Sequence, residues 1–253
     1  MSTALPPPAD SHEAATARAS VLLEALPYIQ RFRGRTVVVK LGGNAMVDDE
    51  LAATFAEDIV LMHSVGLRPV VVHGGGPQIS ELMERLGKDP QVVDGQGGPD
   101  PPTLEIPRMV LMGKVNRDLV GAINVHGPLA VGLSGEDAGL IEAAERDPAL
   151  GFVGDVLSVN PTILERLLAE SLIPVVSTIA SDAKGQAYNI NADTVAGALA
   201  EAIGAEKVIY LTDVEGLLAD VEDPGSLISH IGAGALQRMV EDGTLTGGMI
   251  PKN

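Results

Sequence analysis

The chain contains no cysteine and no tryptophan. The first absence removes disulfides, thiol nucleophiles and cysteine-ligated zinc. Aromatic residues make up only 2% of the sequence, which leaves little on which nucleic-acid bases could stack. Positive charge is scarce as well. Seventeen Lys and Arg face 34 Asp and Glu, and the formal net charge of -17 speaks against a nucleic-acid partner. Such a protein can still bind an anion, but only through a local arrangement of amides, lysines and metal. The five histidines (His12, His63, His73, His126, His230) show no metal-ligand spacing, so no protein metal site is expected. The chain does not open on a basic segment followed by an apolar run, and no apolar run is long enough to span a membrane. These patterns fit a cytoplasmic protein.

The 253 residues, 45% hydrophobic, suffice for one large domain or two lobes with a proper core. Apolar β-branched runs at 36–41, 68–73, 173–180 and 207–212 read as buried strands. They alternate with helical patterns at 48–66, 108–125, 161–171 and 191–206. Gly66 stands where a helix should stop, and Pro77 at the first position of another helix. The alternation predicts an α/β fold with a mainly parallel sheet. Residues 1–12, small, polar and proline-rich, read as a disordered tail. Residues 13–32 read as an amphipathic helix bent or interrupted near Pro27, and "GFVGDVLSV" (151–159) as a hairpin.

In open parallel sheets, ligands bind beyond the carboxyl ends of the strands. Those ends carry "KLGGN", "HGGGPQ", "STIASD" and "LTDVEG". The first two place glycine amides directly before a helix, where an anion is favoured, although a tight structural turn explains them equally well. Neither is a Walker A loop or a GxGxxG fingerprint. Lys40 closes a very apolar strand, where a solvated lysine is not expected; it either caps an edge strand or projects over a phosphoryl group. In "YNINADTVAGALA", Asn191 or Asp193 can cap the helix, worth about 1 kcal/mol. Asn189, Asn191 and Asp193 together exceed what capping requires. "GTLTGGMIPK" adds a glycine turn, the hydroxyls of Thr244 and Thr246, and a second lysine, Lys252. Two lysines, several glycine turns and no general-base candidate point to phosphoryl transfer onto an acceptor that is already ionised. A carboxylate, with a pKa of about 4.3, needs no base at neutral pH.

The motifs "TVVVKLGGNAM", "VVVHGGGPQIS", "MVLMGKVNRDLV", "NINADTVAGALA", "IYLTDVEGL" and "TGGMIPK" occur in this order. Together they resemble the N-acetyl-L-glutamate kinases of the amino-acid kinase superfamily, from about residue 20 to residue 252. The resemblance implies a three-layer αβα sandwich and transfer of phosphate from MgATP to the side-chain carboxylate of N-acetyl-L-glutamate, in arginine biosynthesis. Magnesium would be bound through the nucleotide. Carried over by motif, Lys40 and Lys252 would stabilise the transferring phosphoryl group, and Asp193 would hold those lysines. Gly75 and Gly76 would bind substrate, and Asn189 would contact it from the second lobe. Gly42 and Gly43 would serve the ATP phosphates; Thr212, Asp213, Gly216, Leu217, Thr244, Gly247 and Gly248 would line the nucleotide site. The implied organisation is an oligomerisation helix at 13–32, an acetylglutamate-binding lobe at 33–205 and a nucleotide-binding lobe at 206–253. That helix could equally pack on its own domain. Two other readings stay open: a superfamily kinase with another acceptor, and a catalytically impaired nucleotide-binding or assembly paralogue.

Two departures from the family pattern stand out. The family continues beyond the position of Lys252, so a shortened C-terminal lobe is expected. After "VDG" the family carries an arginine that forks onto the substrate's α-carboxylate; here the segment reads "VDGQGGPDPP", with Gly97 at its place. Pro99, Pro101 and Pro102 are expected to break any regular element into a loose loop, and Pro107 falls in or near the start of the next helix. A charge-assisted bond to a carboxylate is worth roughly 1.5–3 kcal/mol. Gly97→Arg is therefore expected to lower the steady-state KM for N-acetylglutamate by about tenfold or more. An unchanged KM would separate Gly97 from the substrate.

Overall fold

Val37–Val39 and Val70–Val72 are two runs of three valines in which every side chain is buried. Strands that alternate apolar and polar residues have one wet face; these have none, so their sheet must be covered on both sides. The computed structural model, which describes residues 12–42, 46, 48–88, 101–212, 216–220 and 223–241, shows that cover. Strands β1 (Thr36–Leu41), β2 (Arg68–His73), β3 (Ala130–Ser134), β6 (Ile173–Ser177) and β9 (Lys207–Leu211) form an all-parallel sheet in the order β3-β6-β2-β1-β9. β1 lies between β2 and β9, so Lys40 is not on an edge strand.

The pleat sends alternate residues to opposite faces. Val37, Val39 and Leu41 cluster with Phe55 and Ile59 of α2 (Asp49–Ser64), Ile79 and Met83 of α3 (Gly76–Arg85), and Leu119 and Ile123 of α5 (Asn116–Asn124). Val38, Val70 and Val72 cluster with Leu164 of α6 (Thr162–Ala169) and with Val195 and Leu199 of α7 (Ala192–Ala202). Each fully buried side chain of this size contributes about 1.5–3 kcal/mol. Helix, sheet and helix make the expected three layers. Local signals set the ends of the helices. Asp48 caps α2, its Oδ1 accepting from the amides of Glu50 at 2.8 Å and Leu51 at 3.1 Å. Gly66, at φ +94°, follows the end of that helix.

Two expectations need correction, on residues 151–159 and on Pro101 and Pro102, and two open alternatives, at Pro27 and Pro107, are narrowed. α1 (His12–Phe32) runs through Pro27 without interruption. Residues 151–159 are not a hairpin. β5 (Val153–Val159) is one strand that pairs antiparallel with β4 (Ile141–Glu145). With β7 (Ile179–Ser181) and β8 (Ala187–Ile190) these two close a small barrel. It closes tightly, because a Cβ at Gly135 would lie 2.8 Å from the Ile179 carbonyl oxygen, and one at Gly154 would lie 2.7 Å from Tyr188 Cβ. Pro101 and Pro102 do not break the chain into a loop; they open α4 (Pro101–Arg108), where a proline's missing N–H has no helical partner to lose. Pro107 lies inside that helix, which passes directly into a π-helical segment, Met109–Val115. A ring without a donor is a recognised cause of such departures from α geometry. Pro99 and Gly97 lie outside the described residues. Among the described residues no helix is long and apolar enough to cross a membrane.

His73 ends β2 and is buried outright among these apolar layers. Its Nδ1 lies 2.9 Å from the Gly74 carbonyl oxygen and its Nε2 lies 3.0 Å from Asn116 Nδ2. Desolvation by burial pulls its pKa down from 6.5 to about 4; the bond to Gly74 opposes this and the charge of Arg117 adds to it. Between those values the unfolded chain takes up a proton that the folded protein refuses. The stabilisation is therefore complete above pH 6.5 and is lost as pH falls toward about 4. The shift amounts to about 3 kcal/mol. Urea midpoints measured from pH 7.5 down to pH 4.5 should fall more steeply in the wild type than in His73→Gln. Parallel slopes would show that the ring takes up its proton alike in the folded and unfolded chain.

Candidate active site

The five parallel strands end along one edge of the sheet. Lys40, the penultimate residue of β1, sends its ammonium to Asp193, with Nζ 2.9 Å from Oδ1. Both side chains are about a tenth exposed, at 11% and 9%. Asp193 comes from the first turn of α7, which packs on β1. Its carboxylate is not spent on capping. Asn191 is the cap, its Oδ1 accepting from the amides of Asp193 at 2.8 Å and Thr194 at 3.2 Å. The excess of polar residues in "NINAD" thus resolves into a cap and an ion-pair partner.

The glycine turns lie beside this pair, and their surroundings differ from one glycine to the next. A Cβ on Gly42 would lie 3.3 Å from the Leu211 carbonyl oxygen and 3.9 Å from Lys40 Nζ, so this turn sits between the ends of β1 and β9. A Cβ on Gly74 would meet Ala192 Cβ at 3.6 Å, beside the start of α7. A Cβ on Gly75 would lie 2.7 Å from Leu111 Cδ2 and 3.2 Å from Val115 Cγ2, so the π-helical segment presses directly on the loop. Gly76 differs: among the described residues nothing lies within 4 Å of its Cβ position. Among the described residues the amides of Gly75 and Gly76 find no acceptor. The N-terminus of α3 follows directly, with Pro77 in its first turn, an arrangement that favours an anion.

The structure therefore brings together Lys40, Asp193, Gly42 and the Gly74–Gly76 turn. Asn189 lies in β8, two residues before the cap of α7, and its Oδ1 accepts from Thr178 Oγ1 at 3.2 Å, just beyond the end of β6. Thr212 follows β9, whose last carbonyl touches the Gly42 turn. Gly216 packs against Leu227, and the Leu217 carbonyl accepts from the Ile228 amide at 2.8 Å. Gly43, Asp213, Thr244, Gly247, Gly248 and Lys252 lie outside the described residues.

Sequence reasoning missed three neighbours of the site. Tyr210 is the register partner of Lys40 in β9 and donates to the Asp193 carbonyl oxygen at 3.4 Å; burial, and then Asp193, raise its pKa. Its signal was available, because a residue beside Lys40 in an adjacent parallel strand must share its face. His73 and Asn116 are buried behind the glycine turn. Neither residue stands out in the sequence except as a polar group among apolar ones.

The chain matches the amino acid kinase family over residues 35–253. It is 53% identical over 253 residues to an acetylglutamate kinase of Saccharopolyspora erythraea, covering 97% of this chain and 83% of that protein. It is 54% identical over 242 residues to an acetylglutamate kinase of Corynebacterium glutamicum, covering 93% and 76%. Among solved structures, smu.665 of Streptococcus mutans superposes with a TM-score of 0.74 at 29% identity, over 86% of each chain. A buried lysine–aspartate pair between glycine turns, on a parallel sheet matched to these relatives, leads to one assignment: the chain belongs to the amino acid kinase family and, within it, to the acetylglutamate kinases.

Proposed function

We propose that this phosphotransferase moves the γ-phosphoryl group of ATP onto the side-chain carboxylate of N-acetyl-L-glutamate, giving N-acetyl-L-glutamyl 5-phosphate and ADP. The observation that carries the reading is the Lys40–Asp193 pair, 2.9 Å apart and nearly buried between two glycine turns. A phosphoryl group in flight spreads negative charge over three oxygens, and a fixed cation in a water-poor site stabilises that charge most. Asp193 holds the Lys40 ammonium in place, 2.9 Å from its Oδ1. Gly75 and Gly76 offer amides to the acceptor carboxylate, and Gly42, whose Cβ position lies 3.9 Å from Lys40 Nζ, would serve the donor phosphates. His73 is not a base in this scheme, because its buried ring is bonded through both nitrogens. None is needed for an acceptor that is ionised at neutral pH.

The finer assignments belong to the same reading. Lys252 would complete the cationic clamp. Gly43, Thr212, Asp213, Gly216, Leu217, Thr244, Gly247 and Gly248 would hold the nucleotide, and Asn189 would contact the acceptor. Magnesium would arrive on the ATP phosphates. Residues 33–205 would form the acceptor lobe and 206–253 the nucleotide lobe of a cytoplasmic enzyme. Exposed Val21, Leu22, Leu23, Leu26 and Tyr28 on α1 support assembly of copies through that helix.

The test is ADP release from MgATP in the presence of N-acetylglutamate, aspartate, glutamate or carbamate, each up to tens of millimolar. Turnover is expected with N-acetylglutamate and near background with the others. Release that is independent of acceptor, or fastest with another one, would overturn the reading.

A further inference from the structure

The turn that presents Gly75 is held from behind by a side chain outside the site. Asn116 opens α5 directly after the π-helical segment and is 2% exposed. Its Nδ2 lies 2.9 Å from the Val175 carbonyl oxygen and 3.4 Å from that of Leu133. Both oxygens can only accept, so this atom is the amide's NH2 group. Its Oδ1 accepts from the Arg117 guanidinium. Gly132 makes the room, since a Cβ there would overlap both Asn116 Oδ1 and Arg117 Nη2.

The Leu133 contact is the long one, so one N–H of Asn116 is shared by the two carbonyls and the other points to His73 Nε2, 3.0 Å away. That nitrogen must accept, so the ring proton sits on Nδ1 and is donated to the Gly74 carbonyl oxygen at 2.9 Å. The chain contains no cis peptide bond among the described residues. In a trans peptide the C=O and the following N–H point in opposite directions. Holding the Gly74 carbonyl toward the ring therefore turns the Gly75 amide away from it. Leu111 and Val115 brace the same glycine from the π-helical segment, a geometry that recurs at functional sites.

We propose that Asn116 is a positioning residue: it fixes the tautomer of His73, and His73 aims the Gly75 amide at the acceptor carboxylate. This rests on the reading of Gly75 as an acceptor-binding residue. Asn116→Asp keeps the size but offers His73 Nε2 only acceptors, so the neutral ring would turn its single proton to Nε2 and release the Gly74 carbonyl. The full-length variant is expected to raise the KM for N-acetylglutamate about tenfold or more, the worth of one well-placed hydrogen bond, while the KM for ATP moves less than about twofold. A folded variant with both KM values unchanged would overturn the proposal. So would an equal rise in both, which marks general loosening.

If the variant does not fold, the wild type still decides. Nitrogen-15 spectra of the imidazole, assigned by its loss in His73→Gln, should show a neutral Nδ1–H ring at pH 6; an Nε2–H or protonated ring would overturn the proposal. Wild-type protein with no N-acetylglutamate-dependent turnover would instead sink the kinase reading, and the ring tautomer would separate the two failures.

Discussion

Everything at the carboxyl edge of the sheet is arranged around one ion pair. Lys40 and Asp193 are each about a tenth exposed, and neither charge could stay there without the other. Removing one partner of such a pair leaves an uncompensated buried charge, typically at a cost of about 3–5 kcal/mol. The fold meets this demand through position. β1 is flanked by β2 and β9, so Lys40 emerges from an interior strand of the sheet. α7 packs on the same strand, Asn191 caps it, and the Asp193 carboxylate faces the lysine. A family whose chemistry is charge stabilisation would need such a cation, fixed before the substrates arrive.

The glycine turn beyond β2 shows how packing and chemistry divide a motif. Three consecutive glycines invite a single explanation, room for a ligand. The structure divides them. Gly75 makes way for Leu111 and Val115, whereas a Cβ at Gly74 would only touch Ala192 at ordinary distance and one at Gly76 would meet nothing among the described residues. Crowding by the π-helical segment thus accounts for one glycine of the three. That crowding holds the amides at a defined place, which is what an anion site on a helix N-terminus requires.

The parallel sheet was legible because its strands are short, β-branched and apolar throughout, as Val37–Val39 and Val70–Val72 are. Lys40 was legible for the complementary reason, a charge where that pattern allows none. The small barrel was not. β7 and β8 have three and four residues, and their partners are set by non-local closure over Gly135 and Gly154, which no local pattern encodes. The prolines of α4 misled because their effect depends on their position in a helix: in the first turn they are tolerated, and Pro107 sits where the backbone opens into the π-helical segment. Asn116 stayed hidden inside a motif quoted for its family likeness, since a lone asparagine carries no spacing signal.

The central claim is that Lys40 and Asp193 act as one unit in phosphoryl transfer. A double-mutant cycle on kcat tests it most directly, using Lys40→Met, Asp193→Asn and the pair together. Lys40→Met is expected to lower kcat by about 10²–10³-fold, with Asp193→Asn adding nothing further once the lysine is gone. Losses that multiply would contradict the account, because they would mean that the two groups serve the reaction independently.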